Sequence, residues 1–114
     1  MSGRGIELIQ GTLEFLILET LGNGEARHGF GILRWITTAS EGALDIEEGA
    51  LYPALHRMER RGWLESEWGL SEKNRKAKYY QLTAPGRQQL AREEAGWKEY
   101  VDAVGKIMAE AGAA

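Results

Sequence analysis

Gly49-Ala50-Leu51-Tyr52-Pro53-Ala54-Leu55-His56-Arg57-Met58-Glu59-Arg60-Arg61-Gly62-Trp63-Leu64 is the stretch that decides the fold. Leu51, Leu55 and Met58 recur at i, i+4 and i+7, the spacing of one buried face of a helix. Tyr52, His56, Arg57 and Arg60 fall toward another side. Pro53 is expected in the first turns, where few N–H groups have intrahelical partners. Gly62 is a suitable C-cap. From Trp63 to Trp68 large apolar and polar side chains alternate, which predicts a strand. Gly69 to Ala77 is polar and turn-rich, suiting a hairpin tip, and Lys78 to Leu82 forms the return strand. Tyr80 and Leu82 share one face, Tyr79 and Gln81 the other. An amphipathic helix running into a basic-tipped hairpin is the plan of a winged helix-turn-helix with a two-stranded wing, and it points to DNA.

The charge distribution agrees, although the total does not. The chain of 114 residues carries a net charge of -3. Met1 to His56 holds 3 basic and 8 acidic residues, giving -5. Arg57 to Arg87 holds 8 against 4, giving +4, and Gln88 to Ala114 holds 3 against 5, giving -2. The positive excess therefore sits on the helix and wing, and local clustering sets the field a phosphate meets. At 43% hydrophobic and 27% charged residues, the composition is that of one globular unit. There is no cysteine, so disulfides, thiol nucleophiles and cysteine metal sites are excluded. No apolar run has membrane-spanning length. No continuous apolar region follows Arg4, so no leader is expected.

Upstream, Met1 to Gly5 reads as a frayed start. A first helix beginning near Gly11 or Thr12 has Leu13, Leu16, Ile17 and Leu21 on one face, and Gly22-Asn23-Gly24 stops it. A second helix over about His28 to Thr38 buries Ile32, Leu33 and Ile36. Leu44 and Ile46 alternate with Ala43 and Asp45, which predicts a very short strand at most. The third helix then begins near Glu47 or Glu48. Downstream, Thr83 is a plausible N-cap for a last helix reaching Met108 or beyond. Leu90, Trp97, Val104 and Ala111 recur every seven residues, with Val101 and Met108 on the same side. A small domain cannot cover such a seam, so a second copy of the same helix is the simplest partner. The predicted organisation is a DNA-binding unit over 1–83 and a dimerisation helix over 84–114.

These motifs resemble the PadR-like transcriptional regulators. The carriers are Gly11-Thr12-Leu13, His28-Gly29-Phe30-Gly31-Ile32, the Gly49 to Glu59 helix, Glu67-Trp68-Gly69 and Lys78-Tyr79-Tyr80-Gln81-Leu82-Thr83-Ala84-Pro85-Gly86. Phe30 stands where the family usually has Tyr, and Ala50 where Ser is common. The resemblance implies a mainly α (α+β) fold of the family's short form, with a single C-terminal dimerisation helix. It implies a homodimeric regulator of double-stranded DNA, usually a repressor, in a prokaryotic cytoplasm. Several short members bind flat aromatic or cationic compounds between subunits against a tryptophan of the last helix. Trp97 occupies that place, with Val101 beside it.

The residues expected at DNA are Ala50, Tyr52, Pro53, His56, Arg57 and Arg60 on the third helix, whose first turns would face base edges in the major groove. Lys73, Arg75, Lys76 and Lys78 on the wing would neutralise phosphates. Leu90, Trp97, Val101, Val104 and Met108 are expected to dimerise. Trp63, Trp68, Tyr79 and Tyr80 read as core packed across strands.

Catalysis has no support in these residues. His28 and His56 lie on different helices, with no matched nucleophile, and His28, before a helix start, suits a cap or a packing role. No phosphate loop or metal-ligand spacing occurs, and no cofactor or membrane partner is expected. The rival readings are a winged helix devoted to protein contacts, or a ligand-binding dimer without an operator. The basic residues of helix and wing count against the first.

Overall fold

The computed structural model describes residues 11–113; the start read as frayed, Met1 to Gly5, lies outside the described residues. Four helices and three strands follow in the order α1 (Thr12–Thr20), β1 (Arg27–His28), α2 (Gly29–Ala39), α3 (Glu48–Arg60), β2 (Leu64–Leu70), β3 (Lys76–Leu82) and α4 (Ala84–Ala113). The helices begin and end within a residue or two of the positions that caps and periodicity indicate.

The core is one cluster. Ile17, Leu18 and Leu21 of α1 meet Ile32 and Ile36 of α2, and Leu51, Ala54, Leu55 and Met58 of α3. Leu64, Tyr80 and Leu82 close it from the wing's root. Leu13, Leu16, Leu33, Trp63 and Leu90 pack around its edge.

Three local details come from the fold. No strand forms over Ala43–Ile46; Ile46 is buried instead, and Leu44 packs half-buried against the core. The extra strand is β1, where Arg27 pairs with Tyr80 and His28 with Tyr79, so the sheet has three antiparallel strands in the order β1-β3-β2. A two-residue strand carries too few side chains to show a period of two. Pro53 is also deeper than expected, the sixth residue of α3. Its ring removes the N–H that would bond the carbonyl of Gly49. Gly49 and Pro53 are both exposed, so water can take that carbonyl.

Helix α4 is seated by its first turn. The Thr83 hydroxyl accepts from the Gly86 amide at 3.0 Å and donates to the Gly62 carbonyl at 2.5 Å. Further along, α4 packs on α1, where Glu19 faces Glu94. Burial, and then a hydrogen bond and like charge from Glu94, push the Glu19 carboxyl up to about 7, while Lys98 pulls the other way. A raised carboxyl pKa means the folded chain holds this proton more tightly than the unfolded chain. Its stabilisation is present at low pH and is lost as pH rises through about 7. Glu19→Gln should therefore flatten the decline in melting temperature between about pH 4.5 and 7, the interval between the two carboxyl pKa values. Parallel pH profiles for the two proteins would remove Glu19 from that account.

Candidate nucleic-acid interface

Because Leu51, Ala54, Leu55 and Met58 are buried, α3 is committed to one orientation. The opposite side then presents Gly49, Ala50, Tyr52, Pro53, His56 and Arg60 to solvent. Small residues at Gly49 and Ala50 leave the helix backbone open to close approach. Tyr52 is 39% exposed, and the rest of its ring lies on Gly29 at the start of α2. A methyl group at Gly29 would fall 2.5 Å from the Tyr52 hydroxyl, so that ring position depends on the glycine. Burial raises the Tyr52 phenol pKa, as does the carboxylate of Glu48, so it stays a neutral donor and acceptor.

Arg57 differs from its neighbours. Its Nε donates to Glu14 of α1 at 3.0 Å, and Arg61 reaches the other oxygen of the same carboxylate at 2.8 Å. Arg61 also lies over the Trp63 ring. Sequence reasoning placed Arg57 at DNA; here it ties α3 to α1, and DNA contact would have to compete with that pair. Glu14 carries no helical periodicity signal toward α3, so this tertiary pairing was not legible. Among the described residues no ion pair holds Arg60.

The wing has a tight tip. The Ser71 amide donates to the Arg75 carbonyl at 2.8 Å, and Asn74 takes a left-handed φ of 60°. Asparagine tolerates that conformation better than most residues. Lys73, Arg75 and Lys76 are exposed around the tip. Lys78 sits lower, 3.6 Å from Glu59. His28 joins the tip to α2. Its Nδ1 accepts from the Gly31 amide at 2.9 Å as the α2 cap, and its Nε2 lies 3.3 Å from Glu72. Glu72 also lies 4.0 Å from Arg34.

Register explains the wing's inner face. Leu64 opposes Leu82, Ser66 opposes Tyr80, and Trp68 opposes Lys78. Leu64, Tyr80 and Leu82 are core, but the strands run on past it, and Trp68 is 61% exposed. The expectation that Trp68 is core is thus corrected: alternation assigned its face, while the extent of the core decides burial. Tyr80 is buried as expected, and Trp63 and Tyr79 are half-buried. Between this face, α3 and the start of α2 lies a groove of about 820 Å³. Phe30, Arg34, Tyr52, His56, Trp68 and Lys76 are among the residues lining it.

The expected dimerisation residues divide. Leu90 packs against the core of its own chain and crowds Gly22. Trp97 lies 6.2 Å from Phe15 of α1 and 5.9 Å from Tyr100, ring centre to centre. A shallow pocket of about 380 Å³ opens there, bounded also by Glu93 and Gly96. Beyond it Tyr100, Val101, Ile107 and Met108 are exposed. Among the described residues no helix is long and apolar enough to cross a membrane, and no His, Cys, Asp and Glu cluster suits a metal.

A buried-face helix beside a basic hairpin defines a winged-helix protein. The family model described as transcriptional regulator PadR-like matches residues 17–92. A PadR-like transcription factor from Bacteroides fragilis is 35% identical, with a TM-score of 0.70 over 85% of this chain and 90% of that one. A PadR family regulator from Eggerthella lenta is 33% identical, with a TM-score of 0.73 over 87% and 83%. An uncharacterized protein of Lysinibacillus sphaericus is 29% identical over 84% of this chain and 90% of its own length. The chain belongs to the PadR-like family of transcriptional regulators, and membership implies DNA-binding regulation.

Proposed function

We propose that this protein is a homodimeric, sequence-specific DNA-binding repressor. The observation that carries the reading is the placement of the exposed α3 face and the wing cations on the two sides of one groove. In this reading Ala50, Tyr52, Pro53 and His56 meet base edges, and Arg60 meets phosphate. Lys73, Arg75 and Lys76 neutralise phosphates beside the adjacent minor groove. Arg57 and Lys78 reach phosphate by competing with their carboxylate partners Glu14 and Glu59.

The stripe of exposed Val101 and Met108 with half-buried Val104 between them supports pairing through α4, since it recurs along one side of the helix and its own chain leaves most of it uncovered. Two recognition helices about 34 Å apart would then meet successive major grooves. The repressor role and a cytoplasmic setting rest on the family resemblance. So does an effector at Trp97, for which the pocket walled by Phe15, Trp97 and Tyr100 suits a flat compound and Glu93 favours a cation. Such a ligand acts only if it prefers one spacing of the two recognition helices over another.

Replacing Arg75 and Lys76 by glutamate tests the wing. Binding should weaken for every duplex sequence alike, and the log–log salt slope should flatten by about 0.9 for each phosphate no longer neutralised. An unchanged slope would take the wing out of the interface.

A further inference from the structure

Two aromatic side chains stand bare on opposite walls of the groove. Phe30, on α2, is 49% exposed, and Trp68, on β2, is 61% exposed. Each has a cation stacked on it. The Arg34 guanidinium carbon lies 5.7 Å from the Phe30 ring centre, and the Lys76 ammonium lies 5.3 Å from that of Trp68. All four residues line the same groove. Neither ring is needed to fill the core, which is closed without them.

Leaving two large rings in water is costly unless something covers them. Their attached cations exclude a purely apolar cover. What suits both is a ligand that alternates apolar and anionic groups, and a sugar–phosphate strand does so at every nucleotide. We infer that the groove receives one backbone strand of the duplex, held by two aromatic–cation clamps. The Trp68 and Phe30 ring faces pack on deoxyriboses, while Lys76 and Arg34 meet the flanking phosphates. The Glu72 carboxylate of the wing lies 3.3 Å from His28 and 4.0 Å from Arg34, so a phosphate at Arg34 displaces this loose, exposed contact. The inference rests on the DNA reading above and adds α2 and the Trp68 face to it.

Sugar and phosphate carry no sequence, so an operator is unnecessary for the test. A labelled random duplex of about 30 base pairs can be titrated across a salt series. Lys76→Gln and Arg34→Gln should each flatten the salt slope by about 1.8, about 0.9 for each of the two phosphates freed per dimer. Trp68→Ala and Phe30→Ala should each weaken binding about tenfold while leaving the slope unchanged. Trp68→Phe should recover most of that loss. The division between slope and affinity is a signature that general unfolding cannot produce, and unchanged melting temperatures would accompany it. If the parent protein binds but both alanine variants bind within about twofold of it, the clamps fall and the DNA reading stands. If the parent binds no duplex at low salt, both are overturned.

Discussion

Gly86→Ala is expected to destabilise the fold by about 2 kcal/mol, which lowers the thermal midpoint by roughly 10 °C. The cause is the seat of α4. Thr83, just before the helix, donates its amide to the Trp63 carbonyl at 3.0 Å, and the same carbonyl lies flush on Gly86. A side chain at Gly86 would overlap the carbonyl oxygen of Trp63, which is backbone and is already bonded to Thr83. Either the helix start lifts or the root of β2 moves, and both belong to the core edge. Alanine normally gains up to about 1 kcal/mol over glycine in a helix, so the clash must outweigh a favourable term. Gly96 provides the control, since it lies on the same helix with open space where a side chain would go. Gly96→Ala should raise the midpoint slightly. Melting by circular dichroism at matched protein concentration distinguishes the two. A Gly86→Ala protein that melts with the parent would refute this packing.

The second large effect concerns the exposed end of α4. Val101→Glu combined with Met108→Glu should yield a monomer and reduce operator-length duplex affinity by roughly 10²- to 10⁴-fold, the range gained by linking two binding modules. Both residues are exposed in the single chain, so the substitutions leave its core untouched. Across a two-fold axis each new carboxylate would face its own copy or an apolar stripe, and both arrangements are unfavourable. Ala103→Glu, exposed on the other side of the helix, should retain the dimer. Light scattering reads the mass directly. A parent protein that is monomeric at micromolar concentration would end the dimer proposal, whatever its affinity for DNA.

Reading residues in order succeeds where the geometry is local. Leu51, Leu55 and Met58 identify the buried face of α3 because a helix repeats its geometry every turn. Thr83 identifies the start of α4 because a cap acts within three residues. His28 was legible as a cap for the same reason. Distant partners were not legible. The Arg57–Glu14 pair spans 43 residues and the His28–Glu72 contact spans 44, and no local period links either pair. Strand β1 went unseen because its order comes from Tyr79 and Tyr80, far along the chain.

By itself the amino-acid order determined the order of the four helices and the two wing strands, the buried faces of the helices and the basic character of helix and wing. These follow from interactions a few residues long, and their period is written in the chain. Only the tertiary structure decided which cations are engaged and which rings stay in water. Arg57 is held by α1, whereas Arg60 is not. Trp68 and Tyr80 share a face of the wing, yet one is bare and the other buried. Burial and pairing depend on what another segment brings to the same place, and that is a property of the assembled fold.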